Sequence, residues 1–154
     1  METIREPLTH EEFEALKGAL KRRMVTEGSD LMKQFANVEV GADNIFNYSK
    51  AGHVVKFYSN GDIQGILCFD VGTSWWTDKT ILAEVLVLSM TGVYGLQREA
   101  MKVMDDLAHE YNAALISSGC IFQKQPQIVT NGYLKAGFTT TCPTYAKVVD
   151  YDSK

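Results

Sequence analysis

A carboxylate flanked by aliphatic residues is the first candidate for chemistry: Glu84 lies between Ile81 and Leu82 on one side and Val85 and Leu86 on the other. Burial among such neighbours disfavours the charged form and raises the pKa toward the range a general base needs. The competing reading is a strand glutamate facing solvent. Thr91-Gly92-Val93-Tyr94-Gly95 breaks the pattern just before a helical stretch. Glycines there either let backbone N–H groups approach an anion at the helix start or simply make a strand-to-helix turn. The other reactive side chains form no constellation. His10, His53 and His109 are scattered, and Cys68, Cys120 and Cys142 are an odd number without metal-ligand or CxxC spacing. Cys120 and Cys142 read as buried apolar residues rather than nucleophiles. Trp75 and Trp76 read as core or strand-end packing, with a substrate or partner surface as the sharper alternative.

The elements that must position these residues follow from periodicity. Thr9-His10-Glu11-Glu12 has the form of a capping box, and Phe13, Leu16, Leu20 and Met24 recur on one face, predicting a helix from His10 to Met24. Lys21, Arg22 and Arg23 fall late in it, where the helix dipole favours cations. Ser29 or Asp30 caps a short helix through Phe35, and Asn37 to Ala51 shows no period and reads as a loop. His53 to Ser59 and Asp62 to Val71 are strand-like around Asn60-Gly61, the strongest two-residue hairpin signal. A third strand is predicted from Thr80 to Ser89, then a helix from Leu96 to Asn112 carrying Leu96, Ala100, Met104 and Leu107 on one face. Ala113 to Ser118 is a short strand, Pro126 opens a helix that stops at Gly137, and Phe138 to Thr141 and Tyr145 to Tyr151 are two closing strands.

The 154 residues, with 45% hydrophobic and 22% charged, suit one globular domain spanning 1–154. A net charge of -4 argues against sequence-independent nucleic-acid binding. No stretch approaches the ~20 apolar residues of a membrane span. The charged N-terminus lacks a secretory core, so reducing, cytoplasmic surroundings are expected.

This order of elements resembles the GNAT N-acetyltransferase superfamily. Thr3 to Glu12 is similar to that family's opening strand and first helix, and Asn131-Gly132-Tyr133-Leu134-Lys135-Ala136-Gly137-Phe138 to its fourth-helix signature, Leu-Tyr-Glu-Lys-Leu-Gly-Phe. The resemblance implies an α/β fold with a mixed sheet of about six or seven strands and about four helices. It also implies acetyl-CoA as co-substrate and an amine acceptor, with a homodimer or protein partner compatible.

The family's pyrophosphate loop, Gln/Arg-x-x-Gly-x-Gly/Ala, falls on Gly92-Val93-Tyr94-Gly95-Leu96-Gln97. Gly95 is retained, while Gly92 and Gln97 depart from the pattern. Weak acetyl-CoA binding is therefore expected. By the same resemblance the backbone of Leu86, Val87, Leu88 and Ser89 pairs with the pantetheine amides, and Asn131 joins the cofactor-binding set although it lies closer to Tyr133 than the family's helper asparagine. Tyr133 takes the place of the general acid that protonates the leaving thiolate, its alternative being to pack the helix on the sheet. Glu84 resembles the strand base of the histone-acetyltransferase branch but sits about three residues nearer the loop. Two functions follow. One is an N-acetyltransferase for a small molecule or protein amine. The other is a non-catalytic relative similar to GNAT-like bacteriophage proteins.

Overall fold

Thr9 closes the capping box that the sequence predicts, its side chain accepting from the Glu12 N–H while Glu12 accepts from the Thr9 N–H. In the computed structural model, which describes residues 1–119, 126–139 and 146–151, that box starts α1 (His10–Glu27) after a short strand β1 (Glu2–Ile4). Glu12 also serves the sheet. Its carboxylate takes the ammonium of buried Lys56 at 2.9 Å and the hydroxyl of Tyr58, while Lys56 donates to the Pro7 carbonyl at 3.1 Å. Burial alone would push the Glu12 pKa up. The hydrogen bonds from Thr9, Tyr58 and Lys56, with the Lys56 charge, outweigh it and hold the group below its ordinary value.

Two further helices follow, α2 (Asp30–Phe35), capped by Ser29, and α3 (Val38–Lys50), capped by Asn37. The helix at α3 corrects the loop expected over Asn37 to Ala51. Val38, Val40, Gly41 and the asparagines are poor helix formers. Burial of Ala42, Ile45 and Ser49 along one face decides the matter against local propensity. α1 also runs one turn beyond Met24, so Lys21, Arg22 and Arg23 lie outside its last turn, which carries no base. The dipole does not explain them, since its effect is confined to the end turn.

Among the described residues the sheet holds five strands in the order β1-β2-β3-β4-β5, with β2 (Val54–Ser59), β3 (Asp62–Gly72), β4 (Ile81–Ser89) and β5 (Leu115–Ser117). All pairings are antiparallel except β4 with β5, which makes the sheet mixed. Asn60 and Gly61 both take positive φ, as a tight β2–β3 hairpin requires. With α4 (Leu96–Glu110) and α5 (Pro126–Lys135) there are five helices among the described residues. Among the described residues the architecture is thus α/β as expected, with five strands against the expected six or seven and five helices against four. Phe138, Thr139 and residues 146–151 lie outside any strand, and the rest of the two expected closing strands falls outside the described residues.

The two faces of the sheet bury separate clusters. α1 and α3 cover Val54, Ile66, Cys68, Leu86 and Leu88, whereas α4 covers Val55, Phe57, Leu67, Phe69 and Leu82. Burial pushes the Cys68 thiol up to about 12, so it is an inert core residue. Cys120 and Cys142 lie outside the described residues. Trp75 and Trp76, expected to pack, are instead 95% and 58% exposed in the β3–β4 connection. Among the described residues no helix is long and apolar enough to cross a membrane.

α4 meets the sheet through a contact that only glycine permits. A Cβ at Gly65 would come within 2.5 Å of both the Leu88 carbonyl oxygen and the Leu96 side chain. Gly65→Ala is therefore expected to displace the start of α4 and to cost about 1–3 kcal/mol. Gly72→Ala, in the same strand with open space around it, is the matched control. Thermal unfolding of the two variants checks this, and equal melting temperatures would refute it.

Candidate functional site

Register decides where Glu84 points. Cys68 pairs with Leu86 and Phe69 with Glu84, so Val85 is an extra residue that nothing on β3 opposes. A bulge of this kind switches the facing of the strand on either side of it. Leu86 and Leu88 consequently turn toward α1, while Glu84 shares a face with Phe69 and Leu82 beneath α4. Glu84 is half-buried, which corrects the solvent-facing alternative.

Beneath α4 the carboxylate meets two side chains that lie far apart in sequence. The Tyr133 hydroxyl donates to Glu84 Oε2 at 2.7 Å, with Oε1 at 3.0 Å and the Gly119 carbonyl at 3.1 Å as its other neighbours. Gln97 Nε2 donates to the Tyr133 oxygen at 2.9 Å and reaches Glu84 Oε1 at 3.5 Å. Burial raises the Glu84 pKa, and the donors from Tyr133, the Gly119 backbone and Gln97 pull it back only in part. The arrangement is a poised carboxylate with a phenol proton in direct contact.

Tyr133 is held there by the way α5 ends. Gly137 has φ +95°, the Gly137 N–H donates to the Leu134 carbonyl at 3.1 Å, and the Phe138 N–H donates to the Tyr133 carbonyl at 3.1 Å. These two bonds make a Schellman motif, whose usual apolar contact is here the Tyr133–Phe138 ring pair at 5.3 Å between centroids. The Tyr-x-x-x-Gly-Phe spacing is therefore a device for fixing one phenol.

The β4–α4 turn lies beyond the other end of the same strand. Gly92 and Gly95 have φ +77° and +86°, and a Cβ on either would meet nothing. Gly95 is the N-cap of α4 and no side chain caps the helix. Gln64 steadies the turn, accepting from the Met90 N–H at 2.8 Å through its carbonyl and from the Thr91 hydroxyl at 2.8 Å through its side chain. Ser89 Oγ accepts the Gly92 N–H at 2.9 Å. Val93 is half-buried against the α4-side cluster, Tyr94 is exposed, and Leu96 is buried on Gly65.

The side chains of Leu86, Val87 and Leu88 pack into the two cores, so any ligand contact they make is through backbone. β5 pairs with β4 only over Ile81–Ala83, which leaves the far edge of β4 from Glu84 to Ser89 without a strand among the described residues. Asn131 is exposed on α5. Gln97 turns toward Tyr133 and Glu84 rather than into the turn, contrary to the crowding its size suggests. Gln64 and Gly65, which the sequence does not single out, shape this turn together with the hydroxyl of Ser89. Glycine inside strand β3 was the available signal, since it marks a close approach.

The residues present fit an elongated ligand with an anionic end. N–H groups at Leu96, Gln97 and Arg98 without a side-chain cap, and a β4 edge without a strand partner among the described residues, supply donors and acceptors. Among the described residues no cluster of His, Cys, Asp and Glu could hold a metal.

No protein-family model and no curated protein sequence matches this chain. Its fold, however, matches solved structures along nearly the whole length. A predicted acetyltransferase with acetyl-CoA from Clostridium acetobutylicum aligns at TM-score 0.65 and 15% identity, covering 96% of each chain. The ribosomal-protein-alanine N-acetyltransferase from Brucella melitensis biovar Abortus 2308 aligns at TM-score 0.65 and 10% identity, over 97% of this chain and all of that one. AAC(6')-Iy in complex with the bisubstrate analogue CoA-S-monomethyl-acetylneamine aligns at TM-score 0.58 and 12% identity, over 100% and 99%. The chain shares its fold with these acetyltransferases.

The raised pKa of Glu84 has a consequence for stability. The folded chain binds this proton more tightly than the unfolded chain, so the contribution of Glu84 to stability falls as pH rises from the ordinary carboxylate value of about 4.3 through its folded value. Glu84→Gln removes that dependence. Its melting temperature relative to the parent is expected to rise as pH increases from about 4 through the folded value of Glu84. A difference that stays constant would show that Glu84 is not desolvated.

Proposed function

We propose that the chain, folded as one domain, transfers an acetyl group from acetyl-CoA directly to an amine of a small molecule or a protein. The observation that carries the reading is the contact of Glu84, Tyr133 and Gln97 where β4 leaves β5. The fold shared with acetyltransferases, one solved with acetyl-CoA and another with a CoA-linked amine, supports it.

Bound acetyl-CoA would supply a thioester whose acyl carbon accepts the amine and whose sulfur departs. The N–H groups of Leu96, Gln97 and Arg98 face the anionic end of that ligand, with Gly92 and Gly95 keeping the approach clear. The backbone of Leu86, Val87, Leu88 and Ser89 borders its arm, as does Asn131 from α5. Glu84 takes a proton from the incoming ammonium at a carboxylate oxygen, Tyr133 Oη gives one to the departing sulfur, and the second amine proton leaves to solvent as the amide forms. Because Tyr133 already donates to Glu84, the proton gained at the carboxylate can replace the one the phenol loses.

A second reading, a non-catalytic protein on the same fold, has one observation in its favour. The Gly92 N–H, a donor the turn would offer to a phosphate, is already used by Ser89 Oγ.

Two measurements separate the readings. Saturating acetyl-CoA should raise the melting temperature and move the amide signals of Gly92 to Arg98. Against a panel of amines, Tyr133→Phe should keep the fold, with a modest loss of melting temperature from the hydrogen bond to Glu84, and lower turnover by ~10²-fold. Turnover unchanged in the Phe variant would remove Tyr133 from the chemistry, and amide signals unmoved by acetyl-CoA would leave the non-catalytic reading.

A further inference from the structure

The three adjacent bases of α1 have different fates, and one of them lacks a carboxylate. Arg23 is paired with Glu27 at 2.6 Å, and Lys21 is exposed. The Arg22 side chain folds back over Gly18, where a Cβ would come within 3.3 Å of Nη1, and donates from Nη2 to the Met90 carbonyl at 3.3 Å. A guanidinium has five N–H donors. Among the described residues this is the one hydrogen bond the Arg22 guanidinium makes, and no carboxylate pairs with it. A cleft of about 290 Å³ opens at this point, lined by Ala19, Arg22 and Arg23 of α1 and by Ser89, Met90, Thr91 and Gly92. It lies on the α1 side of the sheet and borders the turn whose other end starts α4.

We propose that this cleft is a phosphate-binding subsite, with Arg22 as its cation and the Ser89 hydroxyl as a second donor. Ser89 Oγ already accepts the Gly92 N–H, so its hydrogen is free to point at an anion. The Thr91 hydroxyl is directed to Gln64 and adds no donor. Arg23 is neutralised by Glu27, which leaves the Arg22 charge for the ligand. A fork of N–H groups matches phosphate geometry and is anchored here against a backbone carbonyl, so little side-chain freedom is lost on binding. The site rests on the acetyl-transfer reading only for the source of its anion. That source is either a phosphate of the acyl donor or an anionic group on the acceptor.

Inorganic pyrophosphate is the probe. Its titration into the intact chain should shift the amide signals of Thr91 and Gly92 together with the Arg22 side-chain N–H. Arg22→Gln should weaken that binding about tenfold or more, Arg22→Lys should weaken it less, and Lys21→Gln, which makes the same charge change outside the cleft, should bind like the parent. Absence of the shifts in the parent, or equal weakening by Arg22→Gln and Lys21→Gln, would overturn the proposal. Displacement of pyrophosphate by acetyl-CoA but not by acetyl-pantetheine assigns the anion to the donor. Acetyl-CoA bound alongside pyrophosphate assigns it to the acceptor. A chain that binds pyrophosphate at Arg22 but turns over no amine keeps the subsite and loses acetyl transfer, whereas turnover without the shifts does the reverse.

Discussion

One extra residue in β4 determines which partners each half of that strand can have. Without Val85 as a bulge, Glu84 and Leu86 would share a face, and the carboxylate would either enter the α1 core with Leu88 or drag Leu86 under α4. Neither is tolerable, because an unpartnered carboxylate in an apolar core costs several kcal/mol. The bulge sends the aliphatic half to one layer and the acid to the other. It lies two residues past Ala83, the last residue of β4 that pairs with β5. The change of facing and the opening of the strand edge therefore occur together.

A site built on such an opening needs rigid flanks, and polar contacts of long sequence separation provide them. On the α1 side, Glu12 is at once the capping residue of its helix and the partner of Lys56 and Tyr58 on β2. Loss of either Glu12 or Lys56 would leave the other as an unpaired buried charge, so the helix is fixed to the strand in one register. On the other side Arg5 gathers the end of β1, the Gly52 carbonyl at 2.8 Å, the Glu110 carboxylate at 2.8 and 3.0 Å and the Tyr111 hydroxyl. Its guanidinium also lies 5.5 Å from the Phe69 and Tyr111 ring centroids. The Ile4-Arg5 pair near the N-terminus thus has a mechanical explanation in this chain, since it ties β1 to the far end of α4.

Most of the scaffold could be read from local signals, because those signals are local physics. The Thr9 capping box, the Asn60-Gly61 turn and the apolar face of α4 each depend on residues within a few positions of one another. α3 could not be read that way, since its helicity comes from burial against α1 and the sheet rather than from its own residues. Trp75 and Trp76 misled for the opposite reason, as hydrophobicity alone does not say that a loop finds a surface to cover it. At the site, Tyr133 and Glu84 could each be nominated singly. Their contact could not, because it depends on a bulge at Val85, a residue with no turn signature, and on a sequence separation that no motif spans.

The forces on Glu84 also link its proton affinity to what Tyr133 is doing. Burial raises the pKa, and the phenol is the first of the donors that lower it. A donor that turns from Glu84 to another acceptor stops stabilising the carboxylate, so the carboxylate becomes a stronger base when the phenol engages elsewhere. Gln97 holds both ends of the contact, as donor to Tyr133 and neighbour of Glu84, and it belongs to the first turn of α4, whose N–H groups face the open turn. With the phenol donating to it, Glu84 is a weaker proton acceptor than burial alone would make it.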